Sequence, residues 1–172
     1  HPILDRLNVK SHKGDLKNYS QVLAACEGKD AIFHVASKVG MWGLWKDFYE
    51  INVLGTKNIL MAAKEANIPY LVYTSTPSVV FNQKDIIGGN ENLSYCKKPL
   101  NNYQKSKIMA EKLVLFQQDV KTIALRPHLI FGEDDPHIIP KIIERAKAGK
   151  QWIFGICETS VFPLTSTRAR RR

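Results

Sequence analysis

The apolar stretch AIFHVA, residues 31–36, decides how the rest of the chain is interpreted. It has no polar alternation, and Gly28 and Ser37 bound it, which is typical of a strand buried inside a sheet. Three further segments have a similar character: LNV at 7–9, PYLVYTS at 69–75 and KTIALRP at 121–127. Because helical patterns separate these short strands, the sequence predicts an α/β fold with a parallel sheet covered on both faces.

Helical patterns fill the gaps between the predicted strands. Asp15 is predicted to be the N-cap of the first helix, which runs to about Cys26. A loop rich in Gly, Asn and Pro occupies residues 82–102 and precedes the third helix. Gly149 is a candidate C-cap for the last helix. The remaining predicted helices are 47–66, 103–117 and 138–150.

Composition limits the classes of protein that the chain can represent. Of its 172 residues, 44% are hydrophobic and 24% are charged, the balance of one globular domain. No apolar run approaches the roughly 18 residues of a membrane span, so no span is expected. Cys26, Cys96 and Cys157 lie far apart, which predicts reduced thiols, a cytoplasmic location and no metal site.

The formal net charge of +9 is concentrated in part near residue 172, where TSTRARRR carries four arginines. Such a run could bind nucleic acid or an anionic membrane surface. The alternative is a solvated, disordered tail, which we favour because no nucleic-acid-binding motif accompanies the charge. No nucleic-acid partner is therefore expected.

The stretch NNYQKSK, residues 101–107, places Tyr103 and Lys107 one helical turn apart on one face. A Lys ammonium close to a Tyr hydroxyl favours the phenolate and lowers the Tyr pKa, so that the Tyr can transfer a proton near neutral pH. The alternative is a half-buried Tyr beside a Lys whose charged end reaches solvent.

Small and polar residues follow the predicted strands. Thr76 comes just after the strand at 69–75, where its hydroxyl could bind a substrate oxygen or simply form a turn. Asp15 could accept a hydrogen bond from an adenine amine, or cap its helix, or do both. Ala36 and Ser37 are small enough for a flat cofactor to approach the backbone. His34 is predicted to be a packed core histidine.

Six segments together resemble the extended short-chain dehydrogenase/reductase family in order and spacing over about residues 7–150. Within it, the chain looks most like the branch of 3β-hydroxysteroid dehydrogenases, sterol-4α-carboxylate 3-dehydrogenases and bacterial 2-alkyl-3-oxoalkanoate reductases. The resemblance implies a partial Rossmann-like, doubly wound parallel sheet in residues 1–155. The six segments are GDL, IFHVAS, NVLGTKNILMAAKEANI, YTSTPSVVF, YQKSK and LRPHLIFG.

The resemblance also implies an activity and its residues. The activity is NAD(P)-dependent interconversion of a secondary alcohol and a ketone on a small hydrophobic substrate, such as a 3β-hydroxysteroid or a β-oxo acid. Tyr103 matches the catalytic acid/base, Lys107 the lysine that binds the nicotinamide ribose and lowers the Tyr pKa, and Thr76 the hydroxyl that orients the substrate oxygen. The other matched cofactor-binding positions are Asp15, Leu16, Ala36, Ser37, Lys38, Pro127 and Leu129.

Relatives of this kind often form dimers through two helices, which implies a possible homodimer through 47–66 and 103–117. The second of these helices has apolar residues outside its core stripe, which suits a further contact surface. Those residues are Ile108, Met109, Leu115 and Phe116.

The sequence departs from the family at both ends. The Gly-rich phosphate-binding turn is absent, so the chain is expected to be a fragment that lacks the first βαβ unit and most of the substrate domain. Residues 156–172 match nothing in the family and are expected to form an atypical, disordered basic tail. Such a chain should be marginally stable, prone to associate and weak in dinucleotide affinity. The alternatives are a catalytically dead interaction fragment and a nucleotide-sugar epimerase or dehydratase.

Overall fold

The computed structural model describes residues 2–128, 130–132, 138–149 and 164–165. It combines a three-stranded sheet, a two-stranded sheet and helices of very different lengths. The helices are α1 Pro2–Arg6, α2 Tyr19–Cys26, α3 Trp45–Phe48, α4 Gly55–Glu65, α5 Asn102–Phe116 and α6 Ile138–Lys147. The strands are β1 Ala31–His34, β2 Tyr70–Thr74, β3 Lys121–Leu125, β4 Ile130–Phe131 and β5 Leu164–Thr165.

The larger sheet is parallel, with its strands in the order β1-β2-β3. Ala31 pairs with Tyr70, and Tyr70 pairs in turn with Lys121, so the three strands begin level with one another. The predicted strands at 31–36, 69–75 and 121–127 are therefore present, each ending a residue or two early. The predicted α/β class with a parallel sheet is confirmed.

One face of this sheet carries the main core. Leu71 and Tyr73 of β2 point to that face and are each only 1% exposed. They pack against α4 and α5 through small or β-branched residues, so that the helices approach the strands closely. The helical residues that line this core include Ile59, Ala62, Ala63, Ala110 and Val114.

The opposite face of the sheet is open. Its residues alternate with the buried ones, and Phe33, Tyr70 and Ile123 are 73%, 52% and 52% exposed. The expectation that helices cover both faces is therefore not met in the described part of the chain. The reason is topological: successive parallel strands added in one direction by right-handed crossovers place α4 and α5 on the same side.

The long helix predicted at 47–66 is present but irregular. It starts at Trp45 in α3, continues through a π-helical stretch at Tyr49–Leu54 and ends with α4. Gly55 follows the π-helical stretch without left-handed geometry, and its role is close packing. A Cβ there would lie 2.9 Å from the Leu16 Cβ, so only glycine lets this helix approach the loop before α2.

The N-terminal predictions need two corrections. Residues 7–9 form no strand; Asn8 has a φ of 53°, which interrupts an extended backbone. Asp15 does not cap α2, because the helix begins four residues later and Asn18 caps it by accepting from the Gln21 amide. The Asp15 carboxylate instead accepts from the Lys17 amide at 2.9 Å.

Beyond β2, the predicted loop before α5 and the predicted C-cap of α6 agree with the structure, and part of the predicted tail is a strand. The residues from Phe81 to Asn101 form no regular helix or strand, as expected, and Asn101 caps α5 by accepting from the Gln104 amide. Gly149 follows α6 with a φ of 64°, which suits a C-cap. In the predicted tail at 156–172, Leu164–Thr165 pairs in parallel with Ile130–Phe131. The rest of that tail, with its four arginines, lies outside the described residues.

Candidate active site

The carboxyl end of β2 presents three consecutive hydroxyl residues: Thr74, Ser75 and Thr76. The Ser75 amide donates to the Leu125 carbonyl at 2.6 Å, so the pairing with β3 extends one residue past the strand. The Thr76 Oγ1 then accepts from the Ser78 amide at 3.2 Å and caps a short 3-10 helix at Pro77–Val80. The turn role and the site role that the sequence allowed for Thr76 are thus compatible.

Tyr103 lies in the first turn of α5 and is brought against Thr76. Burial raises the pKa of Tyr103, and a hydrogen bond with the Thr76 side chain acts in the opposite direction. The two residues are 27 positions apart in the chain, but they meet because α5 packs beside the end of β2. The structure therefore assembles two of the three predicted catalytic residues at the carboxyl end of a parallel strand, where ligands bind in such sheets.

Lys107 lies one turn further along α5 and is only 1% exposed. Its Nζ donates to the Thr74 carbonyl at 2.7 Å and lies 4.2 Å from the centre of the Tyr73 ring. Burial lowers the pKa of Lys107 to about 8, while the Glu111 charge opposes that shift. Lys107 is therefore a buried cation at the strand end, and its charged end does not reach out to solvent.

The expected effect of Lys107 on Tyr103 is not found in this structure. The pKa of Tyr103 is raised, with burial as the larger cause, and the causes of its shift do not include Lys107. The physical reason is that the ammonium group points to the Thr74 carbonyl and the Tyr73 ring.

A buried amide that sequence reasoning missed connects the loop at residues 36–38 to α5. Asn52, in the π-helical stretch, is 2% exposed, accepts from the Lys38 amide at 2.7 Å and donates to the Lys38 carbonyl at 3.0 Å. It also donates to the Ser106 hydroxyl at 2.8 Å, and Ser106 donates to the Tyr103 carbonyl at 2.8 Å. Its signal in the sequence is a polar residue in the middle of an otherwise apolar helical face.

The predicted adenine-binding residues are held by the same long helix. The Leu16 carbonyl accepts from the Asn58 side chain at 2.8 Å, six residues beyond Asn52. Asp15 is exposed and pairs with Lys17 at 3.6 Å. A cavity of about 490 Å³ lies between the loop that carries Asp15 and the free edge of β1, next to Phe33. One helix thus positions both predicted cofactor segments.

The other predicted cofactor-binding residues are placed as follows. Ala36 is exposed, and Ser37 donates to the Lys38 carbonyl at 3.3 Å in the same loop. Lys38 pairs with Asp47 at 3.6 Å. Pro127 is half-buried just after β3, and Leu129 lies outside the described residues.

His34 is a packed core histidine, as predicted. It is 3% exposed, and its Nε2 lies 2.9 Å from the Thr56 hydroxyl. Its ring centre is 5.4 Å from that of Tyr73, which in turn lies under the Lys107 ammonium. Burial lowers the pKa of His34 to about 4, and the Lys107 charge adds to the effect. The imidazole is therefore neutral at physiological pH.

The described part of the chain contains two of the three cysteines. Cys26 is a buried free thiol and Cys96 a half-buried one, while Cys157 lies outside that part. Within the same residues, no group of three His, Cys, Asp or Glu is placed to hold a metal ion. None of the described helices has the length and apolar character needed to cross a membrane.

Comparison with known proteins first identifies the fold. A short-chain dehydrogenase/reductase superfamily protein from Agrobacterium tumefaciens, crystallised with bound NAD, matches with a TM-score of 0.68 at 22% identity. The match covers 82% of this chain and 48% of that chain. The chain therefore has about half of such a fold.

Sequence comparison then identifies the family. The model of the 3-beta hydroxysteroid dehydrogenase/isomerase family matches residues 3–164, and the chain belongs to this family. It is 44% identical over 161 residues to a 2-alkyl-3-oxoalkanoate reductase of Shewanella oneidensis, which covers 88% of the chain and 42% of that relative. It is 39% identical over 150 residues to a decarboxylating sterol-4-alpha-carboxylate 3-dehydrogenase of Bos taurus, with 85% and 42% covered. The chain spans less than half of these relatives, and the resemblance found in the sequence is confirmed.

Proposed function

We propose that this chain carries the Tyr–Lys–Thr site of an NAD(P)-dependent oxidoreductase that interconverts a secondary alcohol and a ketone on a hydrophobic substrate. The observation that carries the proposal is the convergence of Thr76 and Tyr103 at the end of β2, with Lys107 buried one turn away. The names of the relatives, a reductase of 3-oxoalkanoates and a dehydrogenase of sterols, support the same reaction class.

The residues divide the chemistry as follows. The Thr76 and Tyr103 hydroxyls bind the substrate oxygen, and Tyr103 donates its proton to a ketone or accepts one from an alcohol. Lys107, with a pKa of about 8, is mostly protonated at neutral pH and places a fixed positive charge at the end of β2, where its Nζ donates to the Thr74 carbonyl. When bound, the nicotinamide supplies or accepts the hydride.

The chain's own residues fit a dinucleotide in part. Asn52 holds the backbone of Lys38 through two hydrogen bonds, and the neighbouring Ala36 and Ser37 have side chains small enough for a cofactor to approach the loop. Asp15 and Leu16, at the mouth of the 490 Å³ cavity, would hold the adenine end. Lys107 and Tyr103 would hold the nicotinamide ribose, and Pro127 would lie near its carboxamide.

An exposed apolar loop beside α5 supports a hydrophobic substrate. Val39, Met41, Trp42 and Leu44 are each at least 70% exposed. The Gly43 carbonyl in this loop accepts from the Asn102 side chain at 3.0 Å, which places the loop next to Tyr103. A steroid or an alkyl β-oxo acid would bury this apolar surface, whereas a nucleotide sugar would not.

A homodimer through the long helix and α5 remains part of the proposal. Leu54, Met61, Leu115 and Phe116 are exposed on these helices, by 37%, 46%, 44% and 75% respectively. Ile108 was expected to contribute, but it is only 7% exposed because it packs against Val79 and Val80. The proposed contact surface is therefore smaller than the sequence implied.

The first test is a thermal melt of the chain with NAD(H) or NADP(H). Cofactor at about a hundredfold above its dissociation constant should stabilise a competent fold by roughly 2.7 kcal/mol. Binding would show as a cooperative melt that rises with one cofactor. A melt that both cofactors leave unchanged would contradict cofactor binding by this chain.

The second test is turnover, followed through the nicotinamide absorbance with a 2-alkyl-3-oxo acid or a 3β-hydroxysteroid. Tyr103→Phe should lower kcat by about 10²–10⁴-fold, because it removes the proton donor. Thr76→Ser should retain activity and Thr76→Ala should lose it. Tyr70→Phe, at an exposed tyrosine on the open face of the sheet, is the matched control. Equal turnover in Tyr103→Phe and Tyr70→Phe would refute the assignment.

A further inference from the structure

A buried carboxylate continues the line of site residues along α5. Glu111 lies one turn beyond Lys107 and two turns beyond Tyr103, and it is 0% exposed. It accepts hydrogen bonds from the Ser75 hydroxyl, from the Tyr95 hydroxyl at 2.9 Å and from Arg126, whose Nη2 and Nε lie at 2.6 and 3.1 Å. A buried carboxylate with this many donors is stably ionised, and its pKa is lowered in spite of burial.

These donors come from three separate segments around the site. Ser75 directly precedes Thr76 at the end of β2, and Arg126 directly precedes Pro127 at the end of β3. Tyr95 belongs to the irregular segment between the 3-10 helix and α5. One side chain of α5 therefore ties together the ends of two strands and the long loop.

The contacts between α5 and β2 follow a regular order. Lys107 binds the Thr74 carbonyl, Glu111 binds the Ser75 hydroxyl, and Tyr103 meets Thr76. Three residues on one stripe of the helix thus hold three consecutive residues of the strand end. Because Ser75 and Thr76 are adjacent in the chain, we expect the Glu111 contact to influence the position of the Thr76 hydroxyl.

Glu111 also provides the negative charge nearest to Lys107 on this helix. The groups that face the two residues are Tyr73 from β2, His34 from β1, Arg126 from the end of β3, Tyr95 from the loop and Tyr103 from α5. His34 is neutral, and Arg126 offsets part of the Glu111 charge. The remaining effect of Glu111 is to favour the protonated form of Lys107.

We propose that Glu111 is a positioning residue of this site, which holds Thr76 in register with Tyr103 and provides a buried negative charge one helical turn from Lys107. The proposal rests on the proposed function for the identity of the site. Its two parts depend on different properties of the carboxylate: the register depends on the bond to Ser75, and the effect on Lys107 depends on the charge. Two variants therefore separate them.

The experiment is an NMR titration of the full chain labelled at the lysine and tyrosine side chains, which requires neither cofactor nor turnover. Lys107→Arg and Tyr103→Phe identify the two signals by their loss. In Glu111→Gln the Lys107 midpoint should fall by about half a pH unit or more, since removing a nearby negative charge disfavours the ammonium. Glu65→Gln, which removes an exposed carboxylate on α4, is the matched control and should leave that midpoint unchanged.

Ser75→Ala tests the register while the charge is retained. It should leave the Lys107 midpoint at the wild-type value and raise the Tyr103 midpoint, because the hydrogen bond from Thr76 that lowers it is weakened. If Glu111→Gln does not fold, Ser75→Ala decides the register part of the proposal alone. A folded Glu111→Gln with the wild-type Lys107 midpoint, or a Ser75→Ala with the wild-type Tyr103 midpoint, overturns the corresponding part. Because these readouts are independent of hydride transfer, they hold even where the turnover test fails.

Discussion

The two faces of the three-stranded sheet are built from the same strands but have opposite environments. On the covered face Leu71 and Tyr73 are each 1% exposed, whereas on the open face Phe33 is 73% exposed. Both faces are rich in apolar residues, so composition does not distinguish them. The helices that cover one face also bring Asn52, Tyr103 and Lys107 to the strand ends. The same crossover connections therefore provide both the helices that cover the sheet and the residues of the candidate site.

The largest contrast between the faces should appear in core truncation. Leu71→Ala should lower the free energy of unfolding by about 2–5 kcal/mol, because it leaves a cavity under α4 and α5. Phe33→Ala on the open face should change it by no more than about 0.5 kcal/mol. Urea unfolding of both variants measures the difference. Similar losses in the two variants would mean that the open face is covered in solution.

His34, which is buried on the covered face, should make the free energy of unfolding depend on pH. The folded pKa of His34, about 4, lies below the unfolded value of 6.5, so the unfolded chain binds the proton more readily. Stability from this group is therefore present above pH 6.5 and is lost as pH falls toward 4, by up to about 3 kcal/mol. Melting temperatures across this range should fall less steeply in His34→Gln than in the wild type. The exposed His12→Gln is the control, and identical slopes in all three proteins would contradict the assignment.

The hydrogen bonds of Asn52, at the edge of the covered face, should make an intermediate contribution to the free energy of unfolding. Asn52→Ala leaves the Lys38 amide, the Lys38 carbonyl and Ser106 without this partner, at about 1–3 kcal/mol. Hydrogen exchange at the Lys38 amide should become faster than in the wild type. Asn58→Ala removes the single described bond to the Leu16 carbonyl and should leave Lys38 protected. Fast exchange in both variants would show that the loop responds to helix stability in general.

The smallest effect on stability is expected on the open face, where solubility should change instead. Phe33→Ser combined with Ile123→Thr should leave the melting temperature nearly unchanged, because both side chains are mostly exposed. Sedimentation velocity should show less self-association than in the wild type, since an exposed apolar surface of this kind promotes contact between copies. Unchanged association would place the contact elsewhere, with the exposed ends of α5 as the next candidate.

The sequence was sufficient for the order of the main elements from α2 to β3, because short apolar strands and long helical patterns are local signals. It was insufficient for the cover of the sheet, since apolar residues on both sides of β1 and β2 predict burial without showing which helices provide it. Asp15 was misassigned as a cap because Asn18 offers the same chemistry three residues later. The π-helical stretch at Tyr49–Leu54 left no recognised pattern, since it differs from an α-helix only in hydrogen-bond register.

In the candidate site, too, the features with a local signal in the sequence were predicted, and those that depend on tertiary contacts were not. The spacing of Tyr103 and Lys107 predicted a shared helix face, and the residues after β2 predicted a hydroxyl at the strand end. The partners that arise from tertiary contact, such as Asn52 with Lys38 and Glu111 with Arg126, were not predicted. Their members lie 14 and 15 residues apart, beyond the reach of a helical pattern. The direction of the Lys107 ammonium was also unpredictable, because it depends on a carbonyl 33 residues away.

The strand order β1-β2-β3 has a consequence for how the chain acquires its structure during synthesis. Each strand leaves the ribosome in the same order in which it joins the sheet, and β1 and β2 can pair before β3 has been made. Parallel pairing is slow because a long crossover must close first, but here every crossover joins neighbouring strands. Because α5 lies between β2 and β3 in the chain, its Tyr103 and Lys107 can reach the end of β2 before β3 joins the sheet. Assembly of the site can therefore precede completion of the sheet.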